Sequence, residues 1–179
     1  MHDIPRTLKF PVQSVDIRQN EKPIEHLQMT HYGYEPDFAP AGHTVVTFAI
    51  NQFEPDLQVW EELAKDPVAY RREKNRIGQE VLRAMEARFP HMSGKLKVLD
   101  VASPQTYVHY CNAYRGAFMA FWPTLRGKQL NHTGHIKGIK NMVLSGQWLQ
   151  PPGGLPTALI TGRDTIMRLC NQEQRPFVT

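Results

Sequence analysis

The clearest hydrophobic pattern lies near the C-terminal end, in residues 139–172. A short apolar run at 142–144 (MVL) predicts a buried strand, and Gly146 ends it. The following segment 151–154 (PPGG) can neither continue a strand nor enter a helix interior, so it predicts a turn. A helix should come next, with Gly162 allowing it to approach another element closely. Its apolar residues follow helical spacing: Leu155, Leu159, Ile160, Ile166 and Leu169.

Strand-like patterns dominate the first fifty residues. Segments 7–10 and 12–17 flank Pro11 and are predicted to be edge strands, because edges tolerate proline. Apolar residues alternate with polar ones in 24–31, which predicts a strand with one buried face. The segment 43–50 is almost wholly apolar and β-branched, and is therefore predicted to be a central strand.

Helix signals follow these strands. Asp56 is the expected N-cap of one helix, and Asp66 followed by a proline starts a second helix that should run to about Arg88. Segment 95–102 predicts another strand, and Ser103 followed by proline begins a short helix. The second helix should pack one side on a sheet through Ile77, Val81, Leu82, Met85 and Phe89. The pattern as a whole predicts a mixed α+β fold, with a β-sheet and packed helices.

Composition adds modest limits. The 179 residues, 41% hydrophobic and 21% charged, suffice for a globular domain with a real core. No apolar run is long enough to span a bilayer and no signal peptide follows Met1, which favours the cytoplasm. Cys111 and Cys170 lie far apart in apolar, helix-like segments, so buried free thiols are expected, with a disulfide or a nucleophile as the alternatives.

Charge and histidine give two further candidates. Residues 71–97 contain eight basic side chains against three acidic ones, which suits either a surface for anionic lipid or nucleic acid, or a solvated helix side. Phe89 is assigned to the apolar side of the helix, so no aromatic residue of this region is left for base stacking, and a nucleic-acid partner is not expected. His132 and His135 form an H-x-x-H pair without a nearby third ligand, so no metal site is predicted.

Four motifs in order resemble those of one family. They are PDFAPAGH at 36–43, ASPQTY at 102–107, NAYRGA at 112–117, and the segment 145–163 with SGQW, PPGGLPTA and TGR. Together they resemble the C-terminal region of phytoene desaturase and carotenoid isomerase-like FAD oxidoreductases, the phytoene dehydrogenase-related family. The resemblance covers roughly residues 36–163. It implies a C-terminal strand, turn and helix that return to an FAD-binding domain.

The resemblance implies a flavin contact at the glycine turn, where a Gly-rich backbone before a helix lets a phosphate or a ring oxygen approach. A tight connection without a ligand is the alternative. Two residues depart from the family pattern: Pro152 replaces the first glycine of a triplet and Thr157 replaces another glycine. The implied cofactor-binding residues are Gly146, Gln147, Trp148, Gly153, Gly154, Leu155 and Pro156.

An aromatic segment supplies the implied substrate cavity. Its residues are Tyr114, Arg115, Phe118, Phe121 and Trp122. The alternative for the aromatic rings is ordinary core packing. Arg115 could donate to the flavin or to a substrate carbonyl, or it could pair with a carboxylate such as Asp100. The family's chemistry is hydride transfer at the flavin N5, during desaturation, saturation or isomerisation of an apolar polyene such as a carotenoid. No catalytic residue is identified.

The Rossmann half that such enzymes carry is absent, because no G-x-G-x-x-G occurs in the chain. We therefore expect the C-terminal part of a larger flavoprotein, inactive alone, with residues 1–138 as a substrate-domain part and 139–179 as the FAD-domain segment. The expected partners are an N-terminal FAD-binding half, in the same chain or a separate subunit, and an apolar substrate. Self-association, a domain swap and peripheral membrane contact are compatible with the exposed apolar surface that this implies.

The alternative function is non-catalytic. In that case the chain is an interaction module or a split subunit that binds a partner or an anionic surface through the basic 71–97 region.

Overall fold

The computed structural model describes residues 5–19, 21–126 and 132–178. In this part of the chain it has the mixed α+β fold that the pattern predicts, with a three-stranded antiparallel sheet and four α-helices. The chain forms two compact units, and the division falls between Gly116 and Ala117. The expectation that the parts 1–138 and 139–179 pack as one compact unit is wrong, since there are two units and their division lies at another place in the chain. Residues after Gly116 belong with the C-terminal segment because, for example, the Ala120 N–H donates to the Pro152 carbonyl at 3.1 Å.

The sheet belongs to the first unit. Its strands are β1 (Thr7–Gln19), β2 (Lys22–His31) and β3 (Val46–Phe48), in the order β1-β2-β3. The two predicted edge segments form the single edge strand β1, whose pairing with β2 is irregular between Pro11 and Val15. The prediction of a central strand at 43–50 is wrong. Only three of its residues pair with β2. They form the edge strand opposite β1, because no described strand lies on the outer side of β3.

The first unit also contains α1 (Glu54–Leu63), α2 (Pro67–Arg88) and α3 (Pro104–Cys111). Asp66 is the predicted N-cap of α2, and its carboxylate accepts from the N–H groups of Val68 and Ala69 at 2.8 and 3.2 Å. The expected N-cap at Asp56 is wrong. Helix α1 begins earlier, and Asp56 instead accepts from the Phe53 N–H at 3.0 Å, which leaves Phe53 at the cap position.

A hydrophobic core joins β1 and β2 to one side of α2, as predicted. Phe10, Leu27, Met29 and Met85 are its largest fully buried side chains. Arg76 adds a polar link between the same elements, since its guanidinium binds Glu73 on α2 and donates to the Asp16 carbonyl of β1 at 2.8 Å.

Two predicted strands do not form. Segment 95–102 has no strand pairing and instead packs on α2, where a Cβ added to Gly78 would lie 3.0 Å from Val98 Cγ1 and 3.2 Å from Val101 Cγ2. In the second unit, the 142–144 run makes one isolated bridge, between Val143 and His135. The 95–102 run packs against a helix instead of a sheet, a difference that a local apolar pattern does not contain. The 142–144 run is not buried as predicted, since Met142 is 40% exposed and Leu144 is 39% exposed.

The second unit contains α4 (Gly154–Gln172), the helix predicted after the glycine turn. The expected close approach at Gly162 is absent within the described residues, because a Cβ added there meets no atom within 4 Å. Among the described helices, none is long and apolar enough to cross a membrane.

The core makes a direct stability prediction. Met85→Ala should lower the free energy of unfolding by about 2–5 kcal/mol, because it removes a fully buried side chain and leaves a cavity. Met142→Ala is the matched control, since Met142 is 40% exposed and should change stability by less than about 1 kcal/mol. Urea denaturation followed by circular dichroism measures both. Equal losses in the two variants would contradict the assigned core.

Candidate functional site

The glycine turn predicted to hold a cofactor precedes α4. Gly146, Gly153 and Gly154 all adopt positive φ angles, +129°, +89° and +83°, which L side chains rarely adopt. The peptide bond between Pro151 and Pro152 is cis. The positive φ angles favour glycine at these three positions of the turn.

Three threonines of α4 hold this turn. Thr157 Oγ1 donates to the Gly153 carbonyl at 2.9 Å. Thr161 Oγ1 donates to the Gly146 carbonyl and accepts from the Gly146 N–H, both at 3.0 Å. Thr165 Oγ1 lies 3.5 Å from the Leu144 carbonyl. Their spacing of four residues places them on one side of the helix, so the buried side of α4 is a row of hydroxyl groups.

The apolar side of α4 consequently faces outward. Leu155 is 87% exposed and Leu159 is 77% exposed, and Ile160 and Ile166 are about half exposed. The sequence pattern identified these positions correctly as one apolar stripe but could not tell which side of the helix is buried. The threonines at 157, 161 and 165 share one side of the helix, but their spacing does not decide which side is buried, because threonine is compatible with either side.

Gly153 and Gly154 have different surroundings. A Cβ added to Gly153 would lie 2.6 Å from the Ala120 backbone nitrogen, so this glycine is needed for close packing inside the unit. A Cβ added to Gly154 would meet only Pro156 Cδ, at 3.9 Å. Gly154 therefore presents an open backbone surface, while Gly153 is covered by protein.

The N–H groups at the start of α4 limit what the turn can bind. The Gly154 N–H already donates to Gln147 Oε1 at 3.0 Å, and Pro156 has no N–H. Within the described residues, the Leu155 N–H makes no hydrogen bond to a backbone or side-chain acceptor. A phosphate is usually held by several N–H groups, whereas a ring carbonyl needs one. The residues therefore fit the edge of a flavin ring better than its phosphates.

Of the other residues implied to contact the cofactor, one is exposed and two are engaged in hydrogen bonds within the protein. Trp148 is 44% exposed beside the turn, so its ring is available to a ligand. Gln147 is engaged with the Gly154 N–H, and Gly146 with Thr161. Thr157, which departs from the family pattern, turns its hydroxyl inward to Gly153 and does not crowd the open side of Gly154.

Arg115 pairs with two carboxylates on α1. Its Nε donates to Glu61 Oε1 at 2.7 Å and its Nη2 to Glu61 Oε2 at 3.2 Å, while Nη1 binds Glu54. The hydrogen bonds from Arg115 hold the pKa of the Glu61 carboxyl below its usual value of 4.5. The partner is not Asp100, which pairs with Lys74 at 3.4 Å. No local pattern indicates that Glu54 and Glu61 meet Arg115, because each contact spans more than fifty residues of the chain.

The four predicted cavity aromatics are exposed, at 84% for Tyr114, 54% for Phe118, 42% for Phe121 and 82% for Trp122. The alternative prediction, that these aromatic rings pack in a hydrophobic core, is therefore wrong. Tyr114 and Arg115 end the first unit, whereas the other three begin the second. A surface depression of about 610 Å³ is lined by residues of α1 and its surroundings, such as Pro55 and Val59, and contains none of these five.

The remaining candidates have ordinary explanations. Arg76 and Arg83 pair with glutamates on α2, and Lys74 pairs with Asp100, which reduces the free positive charge of the 71–97 region. No cluster of metal-ligating side chains occurs among the described residues, and His132 Nδ1 accepts from the Gly134 N–H at 3.0 Å.

Both cysteines are free, as expected, but neither is buried: Cys111 is exposed and Cys170 is half-buried. Cys111 is exposed because it lies in the last turn of α3, an eight-residue helix in which no residue is buried.

Comparison with protein-family models, with curated proteins and with solved structures finds no match. The family resemblance therefore rests on the four motifs alone.

The two turn glycines should respond differently to the same substitution. Gly154→Ala should cost about 1 kcal/mol, because alanine is strained at its positive φ. Gly153→Ala should cost clearly more, since its Cβ also collides with the Ala120 backbone. Thermal denaturation of the two variants measures the difference. A Gly153→Ala variant as stable as Gly154→Ala would contradict the packing described for this turn.

The Arg115 pair predicts a specific pH response. A carboxyl whose pKa is lowered by folding stabilises the folded state above its unfolded-state pKa, and this contribution is lost as pH falls through the folded pKa. Arg115→Gln should therefore raise the pKa of Glu61 toward 4.5 and remove this part of the acid sensitivity. Carboxyl titration by nuclear magnetic resonance measures the shift. Arg126→Gln, an exposed control, should leave the Glu61 pKa unchanged.

Proposed function

We propose that this chain is the C-terminal part of an FAD-dependent oxidoreductase that acts on an apolar, unsaturated substrate such as a carotenoid or another polyene. The observation that carries the proposal is the surface beginning at the glycine turn. There the open backbone of Gly154 adjoins the outward apolar side of α4. An exposed apolar stripe of this kind is typical of an interaction surface. Its position beside the turn fits a flavin-binding half that covers both.

In this proposal, Gly154 and the Leu155 N–H face the edge of the flavin ring, and Trp148 offers an aromatic surface next to it. When bound, the flavin supplies hydride transfer at its N5 atom. The protein contributes position and exclusion of water, which requires few titratable side chains. Gly153, Thr157 and Thr161 keep the turn in shape from the inner side.

The partner in this proposal is an N-terminal FAD-binding half, supplied by the same chain or by a separate subunit. It would bury Leu155 and Leu159, which the described part of the chain leaves exposed. Phe118, Phe121 and Trp122, which are exposed residues of the second unit, are the proposed substrate contacts. We propose a cytoplasmic location, with which two free cysteines agree. Contact with a membrane surface would bring an apolar substrate within reach.

The flavin contact is tested by Gly154→Asp in the complete protein. The carboxylate would occupy the open side of the turn and repel the electron-rich edge of the ring, so flavin occupancy should fall at least tenfold. The control is Gly138→Asp, because Gly138 has a similar φ of +89° and open surroundings but lies outside the turn. The ratio of flavin to purified protein measures both. Full occupancy in Gly154→Asp would refute the flavin contact.

The covering of α4 is tested by Leu159→Glu. In this chain alone the substitution should change stability by less than about 0.5 kcal/mol, because Leu159 is 77% exposed. In the complete protein it should cost several kcal/mol, since it would bury a charge in an apolar interface. Leu125→Glu, at a fully exposed leucine of the same unit, is the control and should be neutral in both proteins. A neutral Leu159→Glu in the complete protein would exclude a partner on this side of α4.

A further inference from the structure

The outer edge of β3 carries unpaired backbone groups. The His31 N–H donates to Arg6 O on the β1 side, whereas the Tyr32 N–H donates to Val45 O on the β3 side. Hydrogen-bonded and non-hydrogen-bonded pairs alternate along an antiparallel ladder. His31 lies opposite Val46, and because its N–H points to β1, this pair is not hydrogen-bonded. Met29 lies opposite Phe48, two residues along the ladder, so this pair is not hydrogen-bonded either. The N–H and C=O groups of Val46 and Phe48 therefore point away from β2.

No described residue pairs with this edge. The backbone bonds outside regular elements include none to Val46 or Phe48 within the described part of the chain. The side chains of both residues pack against the core, which fixes the edge in place. The edge is therefore a short, preformed template for another strand.

The sequence around β3 is suited to a longer strand than the one that forms. Segment 44–50 (TVVTFAI) is β-branched or apolar at almost every position, yet only 46–48 pair with β2. It contains no charged residue and no proline, which are the usual features that keep an exposed edge from pairing.

The edge is also self-complementary. In an antiparallel pairing of two copies centred on Thr47, Val46 of each copy lies opposite Phe48 of the other. Both residues have outward backbone groups, so each of these pairs can form two hydrogen bonds. Thr47 then faces Thr47 of the second copy across the two-fold axis, and its side chain is exposed on the side of the sheet away from the core.

We propose that two copies of this chain pair along the outer edges of β3, antiparallel and centred on Thr47, to form a continuous six-stranded sheet. The pairing extends β3 to about residues 44–50. We assign a second copy to this edge because the antiparallel register gives hydrogen-bond partners to Val46 and Phe48 of both copies. Segment 44–50 contains no charged residue that would repel the same segment of the second copy. This inference does not depend on the flavin proposal.

A charge at the two-fold axis tests the pairing. Thr47→Lys places two lysines directly opposite each other, which disfavours the pair, and should raise the dimer dissociation constant by at least about tenfold. Thr47→Glu should do the same. An equimolar mixture of the two variants, one carrying a mass tag, should recover a dimer that contains one copy of each. Sedimentation equilibrium and native mass spectrometry measure these states.

Two controls keep the test specific. Gln13→Lys adds the same charge to an exposed residue of β1, at the other edge of the sheet, and should leave the dimer intact. Circular dichroism should show that all variants keep the fold. Hydrogen exchange adds a local readout, since the Val46 and Phe48 N–H groups should be protected in the dimer and exposed in Thr47→Lys.

The proposal is overturned by a chain that stays monomeric at the highest concentrations, or by a Thr47→Lys variant that dimerises as well as the original. It is also overturned if Leu159→Glu dissolves the dimer while Thr47→Lys leaves it intact, because the contact would then lie on α4. A strand from another protein at this edge would give a mixed complex without self-association, and this also overturns it.

Discussion

Backbone polar groups outside the sheet and the helix interiors need partners, and in this protein side chains provide many of them. Asp66 and Asp56 bind N–H groups at the starts of two helices, and the α4 threonines bind the irregular segment 144–153. These bonds give shape to segments that have no regular pairing. In the glycine turn, hydroxyl groups of the helix that follows donate to the carbonyls of Gly146 and Gly153.

The local signals in the sequence predicted helices well. The aspartate and proline at 66–67 indicate a helix start without any information from distant residues, and α2 starts and ends where expected. The prediction of strands at 95–102 and 142–144 is wrong, because an apolar run does not show whether it pairs with a strand, packs on a helix or stays exposed. The first packs on α2 at Gly78, and the second makes one bridge. Pairing depends on residues far away in the chain, which a local pattern does not contain.

The candidate site shows the same limit. The glycine turn and its helix could be predicted, since glycine and proline act locally. The separate roles of Gly153 and Gly154 could not, because they depend on Ala120, more than thirty residues earlier. The orientation of α4 was equally hidden. Threonine is compatible with either side of a helix, and here three hydroxyl groups with backbone partners occupy the buried side.

The row of threonines also has a thermodynamic consequence. In the described part of the second unit, Leu149 is the one large hydrophobic residue that is buried, whereas the first unit buries the cluster around Phe10 and Leu27. The heat capacity change of unfolding arises mainly from newly exposed apolar surface. The second unit should therefore contribute little to it, and its free energy of unfolding should change with temperature along a line with little curvature. Covering the outward leucines of α4 would change this, so the heat capacity of unfolding would report directly on whether that side of the helix is occupied.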